Sequence, residues 1–262
     1  MKLFLLTFAA ALALASAGPF DFRTAQLPRV TIEESPEGRI VNGYPAYEGK
    51  APYIVGLWIR TDGSNSAAVG GGSIIANNWV LTAAHCLTTD SVDIHYGSNW
   101  GWKGAFSHNV RRDNFISHHD HDIGLIRTPW VDFNHLVNKV ALPSFNEEHD
   151  RFTDTWAVAC GWGGMDNGNL AEYLQCMDVQ IISNSECART YGAVSDQDLC
   201  TRASDGHSVC GGDSGGPLVT HDNPRLVGVI TWAIVGCHGG PSGYTRTTDY
   251  LGWIRDHTGI SY

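Results

Sequence analysis

Basic residues are few: 17 Lys and Arg face 27 Asp and Glu across 262 residues, a formal net charge of −10. Such a surface repels a phosphate backbone or an anionic bilayer, so neither nucleic acid nor a membrane is expected as a partner. Long apolar runs are absent after Leu14, which excludes a later membrane-spanning helix on length. Cysteine is missing until Cys86, and none of the seven cysteines shows the paired spacing of a zinc site. No Asn-x-Ser/Thr sequon occurs, so N-glycosylation is not expected.

What is present begins with a leader. Lys2 supplies a positive start, Leu3 to Leu14 form an apolar run too short to span a bilayer, and Ala15-Ser16-Ala17 offers small residues for cleavage. Residues 1–17 are therefore expected to be a signal peptide and the protein to be secreted. Residues 18–39 are polar, contain Pro19, Pro28 and Pro36, and lack periodicity, which reads as a pro-segment. An odd cysteine count in a secreted chain implies disulfides plus one leftover thiol.

From Ile40 the texture changes to short apolar runs between turn residues. Tyr53–Ile59, Ser73–Ala76, Trp79–Thr82, Ile123–Ile126 and Leu226–Ile230 read as strands of an all-β sandwich or barrel. Asp249 can cap a terminal helix in which Tyr250, Leu251, Trp253 and Ile254 recur at helical spacing.

Three segments carry chemistry. His85 ends Leu81-Thr82-Ala83-Ala84-His85-Cys86, Asp122 opens the run Asp122–Ile126, and Ser214 sits in Gly211-Gly212-Asp213-Ser214-Gly215-Gly216-Pro217. A serine hydroxyl needs a neighbouring base to become a nucleophile, and a histidine held by a carboxylate can serve. In this order and context the segments resemble the chymotrypsin and trypsin family over essentially all of residues 40–262, and are similar to digestive midgut members from insects.

The resemblance implies two antiparallel six-stranded Greek-key barrels with a C-terminal helix, split near residue 140. It implies His85 as base, Asp122 as its orienter and Ser214 as nucleophile, with backbone N–H groups of Gly212 and Ser214 forming the oxyanion hole. Arg39-Ile40-Val41-Asn42-Gly43 resembles the family's activation junction. A trypsin-like protease would cut after Arg39, and the freed Ile40 ammonium would pair with Asp213. Ser208 stands at the pocket floor where trypsin-like enzymes carry an aspartate. Thr231, Trp232 and Ala233 form one wall, and Ser242, before Gly243 and Tyr244, the other. Ala233 and Ser242 in place of glycines narrow the slot toward small or medium apolar residues; elastase-like and chymotrypsin-like preferences both stay open.

Cys160 and Cys176 lie on strands flanking the turn-rich Gly163–Asn169 stretch and are expected to face each other across a hairpin. The family pattern pairs Cys187 with Cys200 and Cys210 with Cys237. It leaves Cys86 free and buried, because Gly70 occupies its partner's place. No cofactor or metal is expected. His118, His119, Asp120, His121 and Asp122 on one strand would alternate faces, and Gly97–Arg112 lacks the acidic residues a calcium loop needs. Trp100, Trp102 and Phe106 are expected to pack a long surface loop. The resulting expectation is a monomeric, digestive serine endopeptidase acting on polypeptides, with a secreted, non-catalytic binding homologue as the alternative.

Overall fold

A computed structural model describes residues 43–261 except 65, 102, 166–168, 203–205, 234–236 and 238–239. The expected leader and pro-segment, the Arg39-Ile40 junction and Trp102 lie outside the described residues. The described chain folds into strands β1 (Tyr44–Pro45), β2 (Ile54–Arg60), β3 (Ala67–Ala76), β4 (Trp79–Thr82), β5 (Ser91–Tyr96), β6 (Phe106–Arg111), β7 (Phe115–Ser117) and β8 (Gly124–Arg127). After a long connection follow β9 (Trp156–Gly161), β10 (Gln175–Ile182), helix α1 (Asn184–Tyr191), β11 (Asp198–Thr201), β12 (Pro217–Thr220), β13 (Leu226–Trp232), β14 (Ser242–Arg246) and helix α2 (Leu251–Thr258).

The strands form two antiparallel sheets of seven, each curled into a barrel-like layer. In the second sheet β9 pairs with both β10 and β12, closing six strands into a ring, and β1 is appended outside against β10. In the first, β6 lines β5 while β7 lines β8, and only the turn Arg112–Asn114 separates them. One bent strand thus serves both edges, so this barrel also has six walls. The connectivity is the same in both. Three strands meander, the fourth returns beside the first, and the sixth lies beside the third.

Alternation fills each barrel. Val55 and Leu57 on β2 and Val92, Ile94 and Tyr96 on β5 point into the first core. Ala157 and Ala159 on β9 and Met177, Val179 and Ile181 on β10 point into the second. A third core joins the barrels: Leu81 and Leu125 from the first meet Val219 and Val229 from the second, and α2 adds Leu251 and Ile254. Strands facing this shared core are buried on both sides, so all of β4 is buried and its first three residues, Trp79, Val80 and Leu81, are apolar in succession rather than alternating.

Asp249 does not cap α2. The chain enters the helix through a 3-10 turn, Thr247–Tyr250, so Asp249 lies inside the turn and Tyr250 takes the N-cap place with no side-chain hydrogen bond.

Candidate active site

The antiparallel pairing of β4 with β8 sets Thr82 opposite Gly124, so the exit of β4 lies beside the entry of β8. His85 sits in the short 3-10 turn Ala84–Leu87 that follows β4, and Asp122 lies two residues before β8 begins. Neither is on a strand, which for Asp122 departs from the expectation that it shares one with His118 to His121. Both are on connections at one end of the barrel, where backbone groups are free to hold side chains.

Asp122 receives two hydrogen bonds from His85. Nδ1 lies 2.7 Å from Asp122 Oδ2, and the His85 backbone N–H donates to Oδ1 at 2.9 Å. The Thr245 hydroxyl donates to the Asp122 carbonyl oxygen at 3.0 Å and ties this connection to β14 of the other barrel. Burial opposes the charge on Asp122, but the hydrogen bonds from His85 outweigh it and hold the carboxyl below its ordinary range. Reciprocally, the bond to Asp122 pushes the imidazole up to about 10.

Ser214 comes from the second barrel, in the loop before β12. The loop presses against β3 where that strand carries Gly70 and Gly71. The Gly71 N–H donates to the Ser214 carbonyl at 2.8 Å, and a Cβ on Gly71 would come within 3.0 Å of Gly216 Cα. Gly215 (φ +82°) is held still more tightly, since a Cβ there would fall 2.1 Å from Thr82 Oγ1. Ser214 and His85 line one pocket of about 380 Å³, shared with Ile59, Ala68, Val69 and Cys86. Gly212 has φ +98°, and neither its N–H nor that of Ser214 donates to any described residue. Among the described residues both donors are unspent.

Asp213 is buried at 1% exposure. Its partners among the described residues are two backbone N–H groups, Gly163 at 2.7 Å and Cys210 at 2.9 Å. Burial pushes the carboxyl up to about 6, the mark of an acid short of a cation. Gly161 and Gly163 make room for it, since a Cβ at either would fall 2.1 and 2.4 Å from Asp213 atoms.

Ser208 and Ser242 are both buried, with hydroxyl oxygens 3.3 Å apart. Ser208 donates to the Val209 carbonyl at 3.0 Å, and Ser242 accepts from the Val209 N–H at 3.1 Å. Ser242 is then left to donate to Ser208, so the chain of hydroxyl protons is satisfied internally and the floor is neutral. Trp232 lies over Gly243, where a Cβ would clash at 2.0 Å, and meets Tyr191 edge-on at 4.8 Å. Thr231 donates to the Gly243 carbonyl at 3.4 Å, and Ala233 packs beside the second core.

Three disulfides are present: Cys160–Cys176, Cys187–Cys200 and Cys210–Cys237. Cys160 and Cys176 are direct partners in the β9–β10 register. Cys86 is free and buried, its thiol 3.7 Å from the Ser214 carbonyl.

The histidine-rich stretch departs from the sequence reading. Residues 118–122 form a bend rather than a strand, so alternation does not separate them. His118 stacks on His119 at 4.8 Å and meets His121 at 5.1 Å and Trp253 of α2 at 5.4 Å. No group of histidine, cysteine and carboxylate side chains among the described residues is arranged to hold a metal ion.

Sequence reasoning missed several supporting residues: Gly71, Gly161, Gly163 and Thr245. The signal for the first was in view as the run Gly70-Gly71-Gly72, whose meaning is close approach of another backbone.

Comparison with known proteins gives a consistent result. A sequence model of the family described as trypsin matches residues 40–254. Serine protease 1 and serine protease 2 of Drosophila melanogaster are each 52% identical over 237 residues, covering 86% of this chain and 88% of theirs. A collagenase of Hypoderma lineatum is 38% identical over 271 residues, covering 99% of both chains. The solved structure of HL collagenase superposes with a TM-score of 0.78 at 37% identity, covering 84% of this chain and 99% of that one.

Proposed function

The chain belongs to the trypsin family and is a serine endopeptidase with the chymotrypsin-like fold, and from that premise we propose how it works. Ser214 attacks the scissile carbonyl while His85 takes its proton and later returns it to the leaving amine. Asp122 fixes the imidazole so that Nδ1 carries the hydrogen and the other ring nitrogen is free to act as base. The N–H groups of Gly212 and Ser214 hold the oxyanion. The observation that carries this reading is the 2.7 Å bond to Asp122 from His85, which lines the same pocket as Ser214.

The enzyme is made as a zymogen and secreted behind residues 1–17. A trypsin-like protease cuts after Arg39, and the Ile40 ammonium satisfies the cation-short Asp213. A buried carboxylate is costly until paired, so that pairing fixes the loop from Gly212 to Ser214. The neutral floor of Ser208 and Ser242 offers nothing to a Lys or Arg side chain, and Ala233 with Ser242 narrows the slot. Cleavage therefore follows small to medium apolar or aromatic residues, as suits a monomeric digestive enzyme.

The test is cleavage of peptides that differ only in the residue before the bond, Ala, Leu, Phe or Arg, after limited trypsin treatment. An identically treated Ser214→Ala protein controls for residual trypsin. Cleavage at Ala, Leu or Phe that vanishes in the variant is expected. Ser214-dependent cleavage at Arg refutes the pocket reading. No Ser214-dependent cleavage, with an Ile40 terminus verified, assigns the protein to secreted binding instead.

A further inference from the structure

The bend at residues 118–122 joins β7 to β8 and delivers Asp122, and one imidazole is built into its hydrogen bonding. The His118 backbone N–H donates to the Ile123 carbonyl at 2.9 Å, and the Ile123 N–H donates back to the His121 carbonyl at 2.9 Å. Asp122 therefore sits inside a closed loop of backbone. A further bond across the bend uses a side chain: the Asp120 N–H donates to His118 Nδ1 at 3.2 Å. A ring nitrogen accepts only while it carries no proton, so this bond requires His118 to be a neutral imidazole with its hydrogen on Nε2. His85 holds the Asp122 carboxylate and Thr245 its carbonyl; the chain leading into Asp122 is held by His118.

The surroundings of His118 oppose a second proton. On its own bend the His119 ring stacks on it at 4.8 Å, only 17° from parallel, and His121 lies 5.1 Å away. From the turn before α2, Tyr250 meets it edge-on at 5.3 Å, and from α2 Trp253 does so at 5.4 Å. His257 stands beyond, its ring 5.0 Å from that of Trp253. The carboxylate of Asp120 is engaged by His119 Nε2 at 2.7 Å, and those of Asp198 and Asp249 interact with His121. Burial, and then His119, His121 and His257, hold His118 below the ordinary histidine range against the pull of Asp120. Aromatic rings attract a cation, but an imidazolium here gives up the bond from the Asp120 N–H and stands against a stacked imidazole.

We infer that His118 is a positioning residue for Asp122, holding the bend in shape as a neutral hydrogen-bond acceptor and releasing it when protonated. This rests on the catalytic reading above. His118 acts through Asp122 and is not among the residues lining the pocket of Ser214. Its protonation frees the Asp120 N–H, sets a cation against His119 and lets the Asp122 carboxylate shift against His85. A misplacement of about 1 Å can cost about 10²-fold in rate. Acid therefore turns the enzyme down through a second proton, separate from the one on His85.

The experiment follows kcat and KM of the activated full chain on one peptide from about pH 5 to about pH 8, in the parent, His118→Asn and His118→Phe. Asn supplies an oxygen that accepts from the backbone N–H two residues on and does not titrate, whereas Phe keeps a ring without an acceptor. At the alkaline end His118→Phe should lose about tenfold in kcat with KM unchanged, and His118→Asn should recover most of it. At the acid end the parent's kcat should fall by about two decades per pH unit, and that of His118→Asn by about one. Equal acid slopes in the parent and His118→Asn overturn the proposal, as does an equal loss in both variants at the alkaline end. The parent and His118→Asn suffice if His118→Phe does not fold.

Urea unfolding of the parent and His118→Asn gives a readout that needs no catalysis. The folded state holds the His118 proton less tightly than the unfolded chain does. The stability His118 lends is therefore full above about pH 6.5 and lost as pH falls through its lower folded value. The parent should weaken against the variant over that window, and a flat difference overturns the proposal. If no Ser214-dependent cleavage is found, the catalytic reading has failed, and the unfolding comparison then decides the bend alone.

Discussion

A Cβ placed on Gly70 would stand 3.3 Å from the Cys86 sulfur. The two positions face each other across the β3 strand and the turn carrying His85, and Cys86 is the free, buried cysteine. The chain thus keeps one half of a bridge whose other half is a glycine.

Gly70→Cys is expected to close that bridge. A loop of roughly 15 residues predicts about 3 kcal/mol of stabilisation, or on the order of 5–10 °C in Tm. The Ser214 carbonyl, 3.0 Å from the new Cβ, will reduce the gain. Thiol titration of the denatured protein should find no free cysteine where the parent shows one. Two free thiols would mean the Gly70–Cys86 geometry is wrong.

Asp122→Asn should leave the fold intact and lower kcat by about 10⁴, because the amide cannot hold the tautomer that leaves the outer imidazole nitrogen basic. His85 is raised by its bond to Asp122, so the base form of the parent grows as pH rises into the alkaline range. The acid limb of the kcat profile should therefore shift to lower pH in the variant. A limb that does not move would show that Asp122 is not what raises His85.

In the uncleaved chain, Asp213 should give stability a pH dependence of its own. The folded carboxyl is raised from 3.8 to about 6, so the folded state holds this proton more tightly than the unfolded state. The stability it lends is full below about pH 4 and gone above about pH 6. Two pKa units correspond to about 3 kcal/mol. Urea unfolding of uncleaved Asp213→Asn against the parent should show their difference growing by that amount in the variant's favour from pH 4 to 7. A flat difference would mean the carboxyl is not desolvated. Cleavage after Arg39 should flatten it and, in the variant, yield no active enzyme.

Ser242→Gly should widen the slot and raise cleavage after Phe relative to Ala by about tenfold, within the 1–3 kcal/mol a group of this size is worth. It also strands the Val209 N–H, which Ser242 accepts at 3.1 Å, so stability should fall by about 1–3 kcal/mol. A wider slot with unchanged preference would place selection elsewhere.

Much of this was legible along the chain. The runs at Trp79–Thr82 and Leu226–Ile230 fall within β4 and β13, because four to seven apolar residues between turn residues have few other uses. Cys160 and Cys176 could be paired from the hairpin between them, since opposite residues on neighbouring strands are close by necessity. His85, Asp122 and Ser214 stood out through their flanking residues. The errors were at boundaries. Asp249 looked like a cap because periodicity cannot tell a 3-10 entry from the first turn of an α-helix. The histidines from 118 to 121 looked like a strand because proximity to β8 was mistaken for membership in it.

The sequence by itself determined the residue types, their order, the cysteine framework and the strand-rich texture, all of which depend on neighbours a few positions apart. Only the tertiary structure decided what meets across the interface of two barrels. Gly70 and Gly71 lie more than 140 residues from Ser214, yet their missing side chains let its carbonyl approach β3. Trp100 and Tyr173 belong to distant loops and become one surface only once the barrels pack. Such contacts leave no periodic trace in the chain, because what selects each residue is the shape of a partner that folding brings beside it.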